Sequence, residues 1–263
     1  MTHYGPSSGA TDTHVNGRQD GPMIKYRGTA ISVGLLFLIA LVFDIVATSI
    51  YRPILDAPDY LLTVYPKRTL VTTGILLDFV SAPAMILIPI LLLPLFRTVS
   101  MGLAYGYLVF RLFEGILFTV LLAHSHSLIN LSRECTKTGA FEASHFRVVG
   151  DSIHATIASG TLLYILVYSI GALMFYYLLY RSRLIPRWLS AWGFLAVVLI
   201  LSGDLLYMFD VFGATPLMRA MAYFAPPIGL QEAVMALWLI VKGFDSSALV
   251  ARQSAFGPAN QAL

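Results

Sequence analysis

An arginine and a glutamate sit in the middle of an apolar run from Tyr107 to Phe118. Arg111 and Glu114 are three residues apart, so on a helix they share one face. A charge near the bilayer centre costs roughly 2.5 to 3.5 kcal/mol on insertion scales unless it meets a partner or water. Groups able to answer the pair stand in the other apolar segments: Asp44, Asp78, His154, Asp204 and Glu232, with Gln231 beside the last. Five carboxylates against one arginine cannot all remain bare anions in a low-dielectric interior. Some must take up a proton, meet a cation or face water. The ligand-binding set expected on these grounds is Arg111, Glu114, Glu232, Asp44, Asp78, Asp204, Tyr107 and Gln231.

Two other chemistries compete with simple binding. Asp78, His154 and Asp204 could supply three ligands to a catalytic metal with an open position, and Glu114 or Glu232 would then act as base in a hydrolase on a lipid-like substrate. An excess of buried acids also suits proton-coupled transport. The plainer alternative is a salt-bridge network of Arg111, Glu114 and Glu232 that specifies the fold and does nothing else. No paired histidines suggest haem, no lysine inside a span suggests a Schiff base, and no Walker, Gly-x-Gly-x-x-Gly, Gly-x-Ser-x-Gly or His-Glu-x-x-His run occurs. No cofactor is assigned. His124 and His126 read as solvated loop residues.

The elements that must position these residues are membrane helices. The chain is 57% hydrophobic and 12% charged, with a mean hydropathy of +0.76, far more apolar than the roughly 45–50% of soluble domains. The net charge of +3 is scattered, which excludes a basic nucleic-acid face. One cysteine, Cys135, excludes an internal disulfide and reads as a bystander in a loop. The expected fold is all-α, a six-span bundle with spans near 29–50, 70–95, 101–123, 151–180, 189–211 and 222–244. Residues 1–28 and 245–263 read as polar flexible tails. The links are 51–69, 97–100, 124–150, 181–188 and 212–221.

Pro83, Pro89 and Pro94 predict a bend in the second span, because neighbours must satisfy the freed carbonyls. Gly102 and Gly106 form a small-xxx-small pattern suited to close packing. Phe175, Tyr176, Tyr177 and Tyr180 read as an interfacial aromatic belt. Asn130 opens a formal sequon that matters only in a secretory lumen. With both termini cytoplasmic, the inner links and tails hold nine Lys and Arg residues against seven outside, which favours that orientation. Asp44, Asp78, His154, Asp204, Arg111, Glu114 and Glu232 then all fall between the midplane and the outer face.

Three runs carry a family resemblance: Phe110 to Gly115, Tyr180 to Gly193, and Pro227 to Phe244. Their order and spacing resemble the bacterial six-helix membrane proteins grouped as DUF4386, over about residues 29–244. The resemblance implies six spans, a bacterial inner membrane and the pairing of Arg111, Glu114 and Glu232, and it names no substrate. The long polar amino tail departs from the pattern. The expected partners are the lipid bilayer and a small amphiphilic or cationic ligand, with a homo-oligomer allowed and nucleic acid excluded.

Overall fold

The computed structural model describes residues 20–138, 143–213 and 215–248, without the side chains of 20–25, 143 and 218. Of the tails expected at 1–28 and 245–263, residues 1–19 and 249–263 lie outside the described residues, while 20–28 form the start of α1. Those that are described form helices and turns with no strand: α1 (Asp20–Leu55), α2 (Tyr60–Thr63), α3 (Arg68–Phe79), α4 (Ser81–Phe96), α5 (Met101–Thr138), α6 (Ala143–Ser182), α7 (Arg187–Met208), α8 (Leu217–Met221) and α9 (Pro226–Val241). Five stretches are long and apolar enough to cross a membrane, with α3 and α4 counted as one and α9 too short to join them. At about 1.5 Å per residue, the 16 residues of α9 reach only about 24 Å, against a hydrocarbon thickness of about 30 Å.

The helices close into a ring. α1 packs on α3, α4 and α9, α4 on α5, α5 on α6, α6 on α7, and α7 on α9. One end, called the basic end, carries Arg27, Arg97, Arg181, Arg183, Arg187 and Lys242 with few acids, while the far end mixes a similar number of cations with Asp56, Asp59, Glu134 and Asp151. Arg27 Nη2 donates to the carbonyls of Ile240 (3.0 Å) and Val241 (3.1 Å), closing the last turn of α9 against α1. The outward faces keep large apolar side chains such as Leu35, Val109, Ile116, Leu195 and Leu237 exposed, as lipid-facing surfaces require.

Several expectations are corrected. The 124–150 link is mostly helix: α5 runs 38 residues and α6 runs 40, about 57 and 60 Å, so the pair extends well past one bilayer thickness. Its polar letters hid a buried seam of Ser125, Leu128, Ile129, Ser132 and Cys135. Cys135 is therefore a helical core residue, not a loop bystander. Ser132 Oγ accepts from Tyr65 N (2.9 Å) and donates to Leu61 O (2.7 Å), fastening α2 and its turn to the extension. The bend in the second span falls at Val80, between α3 and α4 and three residues before Pro83, with the backbone still in the right-handed helical region (φ −62°, ψ −26°). The belt is half correct: Tyr177 and Tyr180 are exposed, while Phe175 and Tyr176 point inward. Gly106 touches Met174 on α6, with Sδ 3.1 Å from where a Cβ would stand, but Gly102 meets nothing, so only half the small-residue pattern packs.

Two apolar cores result. One, toward the basic end, stacks Phe37, Phe96, Tyr107 and Phe175, with Tyr107 and Phe175 centroids 5.2 Å apart. The other joins Tyr51, Leu55, Tyr60, Val71, Leu122 and Leu128 at the far end. Along α1, α3–α4 and α5 the ionisable residues fall between the two.

Candidate functional site

The polar layer begins with the local pair. Arg111 Nη1 lies 3.0 Å from both Glu114 oxygens, and the two side chains are 4% and 0% exposed. The guanidinium carbon sits 5.6 Å from the Tyr107 ring centroid and 5.3 Å from that of Tyr168, so α5 and α6 sandwich the cation between two π faces. Tyr168 then donates its hydroxyl to Glu232 Oε1 at 3.1 Å, carrying the chain of contacts to α9. Tyr164, one turn before Tyr168, faces Glu114. Arg111 Nε and the Tyr107 hydroxyl are buried and face one another without a hydrogen bond of acceptable geometry. Arg111 and Glu232 thus converge on one interior volume.

A second group lies where α1 meets the bend in the second span. Tyr51 donates its hydroxyl to Asp78 Oδ2 at 2.9 Å. Asp78 is fully buried and its Oδ1 has no partner. The Asp44 and Asp78 carboxyl groups stand within electrostatic range of each other, and Arg52 is a cation within range of both. Asp44 also stands within electrostatic range of Glu232 and Tyr164, which joins this group to the first. Ser81, the first residue after the bend, donates to Ala40 O at 3.2 Å and holds α4 to α1.

The remaining expected residues lie apart. Gln231 is one residue from Glu232 but faces another way. Its Oε1 accepts from Tyr176 (2.5 Å) and its Nε2 donates to Leu189 O (3.1 Å), so its amide is taken up in joining α6, α7 and α9. Asp204 is fully buried on α7 with neither oxygen partnered and no charged side chain beside it. His154 lies toward the far end, its ring edge-on to Tyr60 at 4.7 Å. The proposed metal ligands Asp78, His154 and Asp204 are therefore not brought together, and no group of three such donors that could hold a metal exists among the described residues. They sit on three different helices, with His154 well toward the far end from the two aspartates, which spacing in sequence could not reveal. The residues that reasoning missed are Tyr51, Tyr164 and Tyr168. The four-residue step from Tyr164 to Tyr168 on an apolar helix was the one visible signal for the last two.

The sequence model of one family, described as a domain of unknown function (DUF4386), matches residues 32–243. This chain belongs to that family. No curated protein and no solved structure matches it. The matched span runs from α1 to the exit of α9, so the ring of helices and both polar groups lie within it, while the amino tail lies outside the match.

Proposed function

We propose that this DUF4386 protein is a six-span protein of the bacterial inner membrane, with both termini cytoplasmic, whose polar layer holds a proton or small cation. The sixth span is α9, brought toward membrane length by the turn before it and by Arg27 at its exit. The compact basic turn of Arg181, Arg183 and Arg187 supports the orientation.

The observation that carries the binding reading is Asp78, fully buried with Oδ1 unpartnered and a neutral tyrosine hydroxyl on Oδ2, with the Asp44 carboxyl within electrostatic range of it. Two carboxyl groups so placed in a low-dielectric interior are stable only with a proton or a cation to neutralise them. Arg111 does not serve them, because Glu114 occupies it on the same helix turn. Glu232 has a neutral tyrosine hydroxyl as its direct partner. The layer therefore has more carboxylates than cations and calls for a positive ligand.

Transport is the use favoured by one further feature. The second span is kinked at Val80, two residues from Asp78, where the backbone stays right-handed helical but Val80 N donates to Leu77 O, and Pro83 has no N–H to give to the Phe79 carbonyl, which leaves a backbone acceptor close to the acid. Metal-assisted hydrolysis has no comparable support, since its ligands are dispersed.

Infrared spectroscopy of the purified protein in lipid tests the reading. A protonated-carboxyl band at neutral pH that is lost in Asp78→Asn, or a stoichiometric cation by elemental analysis, is expected. Fully ionised carboxylates with no bound cation would refute it. For transport, proteoliposomes should show pH-dependent flux that Glu232→Gln abolishes.

A further inference from the structure

A cavity of about 580 Å³ opens on the far side of the polar layer, between the end of α1, the α1–α2 turn, α6 and the segment leading into α8. Its walls have two characters. Arg52, Arg147 and His154 line one part, and Leu55, Ile157 and Leu217 another. Two of the polar groups have unmet hydrogen-bonding capacity: Arg52 Nε and His154 Nε2 are buried without a partner. Tyr60 braces the histidine ring edge-on and donates its hydroxyl to Asp151 at 3.3 Å. Burial, reinforced by Asp151, pushes the Tyr60 hydroxyl up to about 12, so it stays a donor at any physiological pH.

Height places the cavity at a membrane boundary. Counting back along α6 from Ser182, Thr161 stands roughly 31 Å and His154 roughly 42 Å from the basic end, at about 1.5 Å per residue. A hydrocarbon layer of about 30 Å then ends near Thr161, with Ile157 just beyond that boundary, His154 further into the polar zone and Arg147 outermost, roughly 52 Å from the basic end at about 1.5 Å per residue.

We propose that this cavity binds the phosphate-bearing headgroup of a membrane phospholipid, held by Arg52, Arg147 and His154, with its acyl chains leaving along Ile157 and Leu217. Guanidinium forks match phosphate oxygens, and basic pockets between spans at headgroup level are suited to lipid phosphates. The volume falls within the roughly 300–1,000 Å³ of small-molecule sites. Asp56, exposed on the rim, gives an ammonium group a partner, which suits an ethanolamine headgroup. This site stands whether or not the mid-membrane layer carries protons.

Native mass spectrometry of the delipidated full-length protein tests it, with phosphatidylethanolamine, a diacylglycerol of the same chains and inorganic phosphate as probes. Phosphatidylethanolamine should bind at least about tenfold more tightly than either of the others, a gap of about 1.4 kcal/mol. Arg147→Gln, at an exposed position, should weaken it by about tenfold, and Ala158→Phe should block it by filling the cavity without removing a charge. Circular dichroism confirms that each variant is folded. Diacylglycerol binding as well as phosphatidylethanolamine would reduce the site to an apolar groove and overturn the proposal. So would inorganic phosphate binding as tightly as the lipid, or lipid binding unchanged in both variants.

Discussion

Glu114→Gln removes the one charge bonded directly to Arg111 among the described residues. The arginine is 4% exposed and its Nη1 contacts both Glu114 oxygens at 3.0 Å. The next carboxylate, Glu232, is held by Tyr168. Breaking a buried pair by removing one partner costs about 3–5 kcal/mol, because the survivor is left uncompensated. The insertion cost of roughly 2.5–3.5 kcal/mol for a mid-membrane charge agrees with the lower part of that range. At roughly 2–4 °C per kcal/mol for a chain of this size, thermal unfolding should fall on the order of 10 °C. Glu232→Gln keeps an acceptor for the Tyr168 hydroxyl and should cost only about 0.5–1.5 kcal/mol. The double variant Arg111→Leu/Glu114→Leu removes both charges and should recover most of the loss. Unfolding in one fixed lipid or detergent compares all three. Equal, small shifts for Glu114→Gln and Glu232→Gln would mean that Arg111 is neutralised elsewhere, and the reading of the layer would fail.

Three further outcomes follow from the packing. Gly34→Ala should destabilise by about 1–3 kcal/mol, because its Cβ would stand 2.7 Å from the Ala236 carbonyl oxygen and force α1 from α9, whereas Gly102→Ala meets nothing and should be neutral or slightly stabilising. Thermal unfolding of the two checks the contrast. Leu128→Ala, at a fully buried position of the far-end core, should cost about 2–5 kcal/mol, and a loss under about 0.5 kcal/mol, as for a surface site, would deny that the α5–α6 extension is packed. Cys135 is 5% exposed, so a thiol reagent should label it only after unfolding; rapid labelling of the folded protein would place it back in an open loop.

Apolar runs of membrane length disclosed five of the crossing stretches, and the three-residue step from Arg111 to Glu114 disclosed their pairing, because both rest on local periodicity. The far-end core was hidden for a physical reason. Its helices lie beyond the hydrocarbon, where surface residues are polar, so Ser125, Ser132 and Cys135 read as a link although they form its inner seam. Glu232 was legible as an unusual charge, but its partner was not: Tyr168 is one aromatic among many in α6, and only the closure of α9 onto α1 and α7 brings the two together. The same closure gives Gln231 a different α6 tyrosine, Tyr176, two turns from Tyr168, and adds Leu189 O of α7. Asp44 and Asp78 come within electrostatic range because α1 packs against the bend after Phe79, a contact that no spacing encodes.

The most direct measurement of the central claim is an experimental structure of the protein in lipid, at a resolution that shows ions and waters, read at Asp44 and Asp78. The account predicts the two carboxyl groups in direct contact or bridged by a cation, with Tyr51 on Asp78. Carboxylates turned apart, each paired with its own arginine or lysine, would contradict it and leave a salt-bridged scaffold.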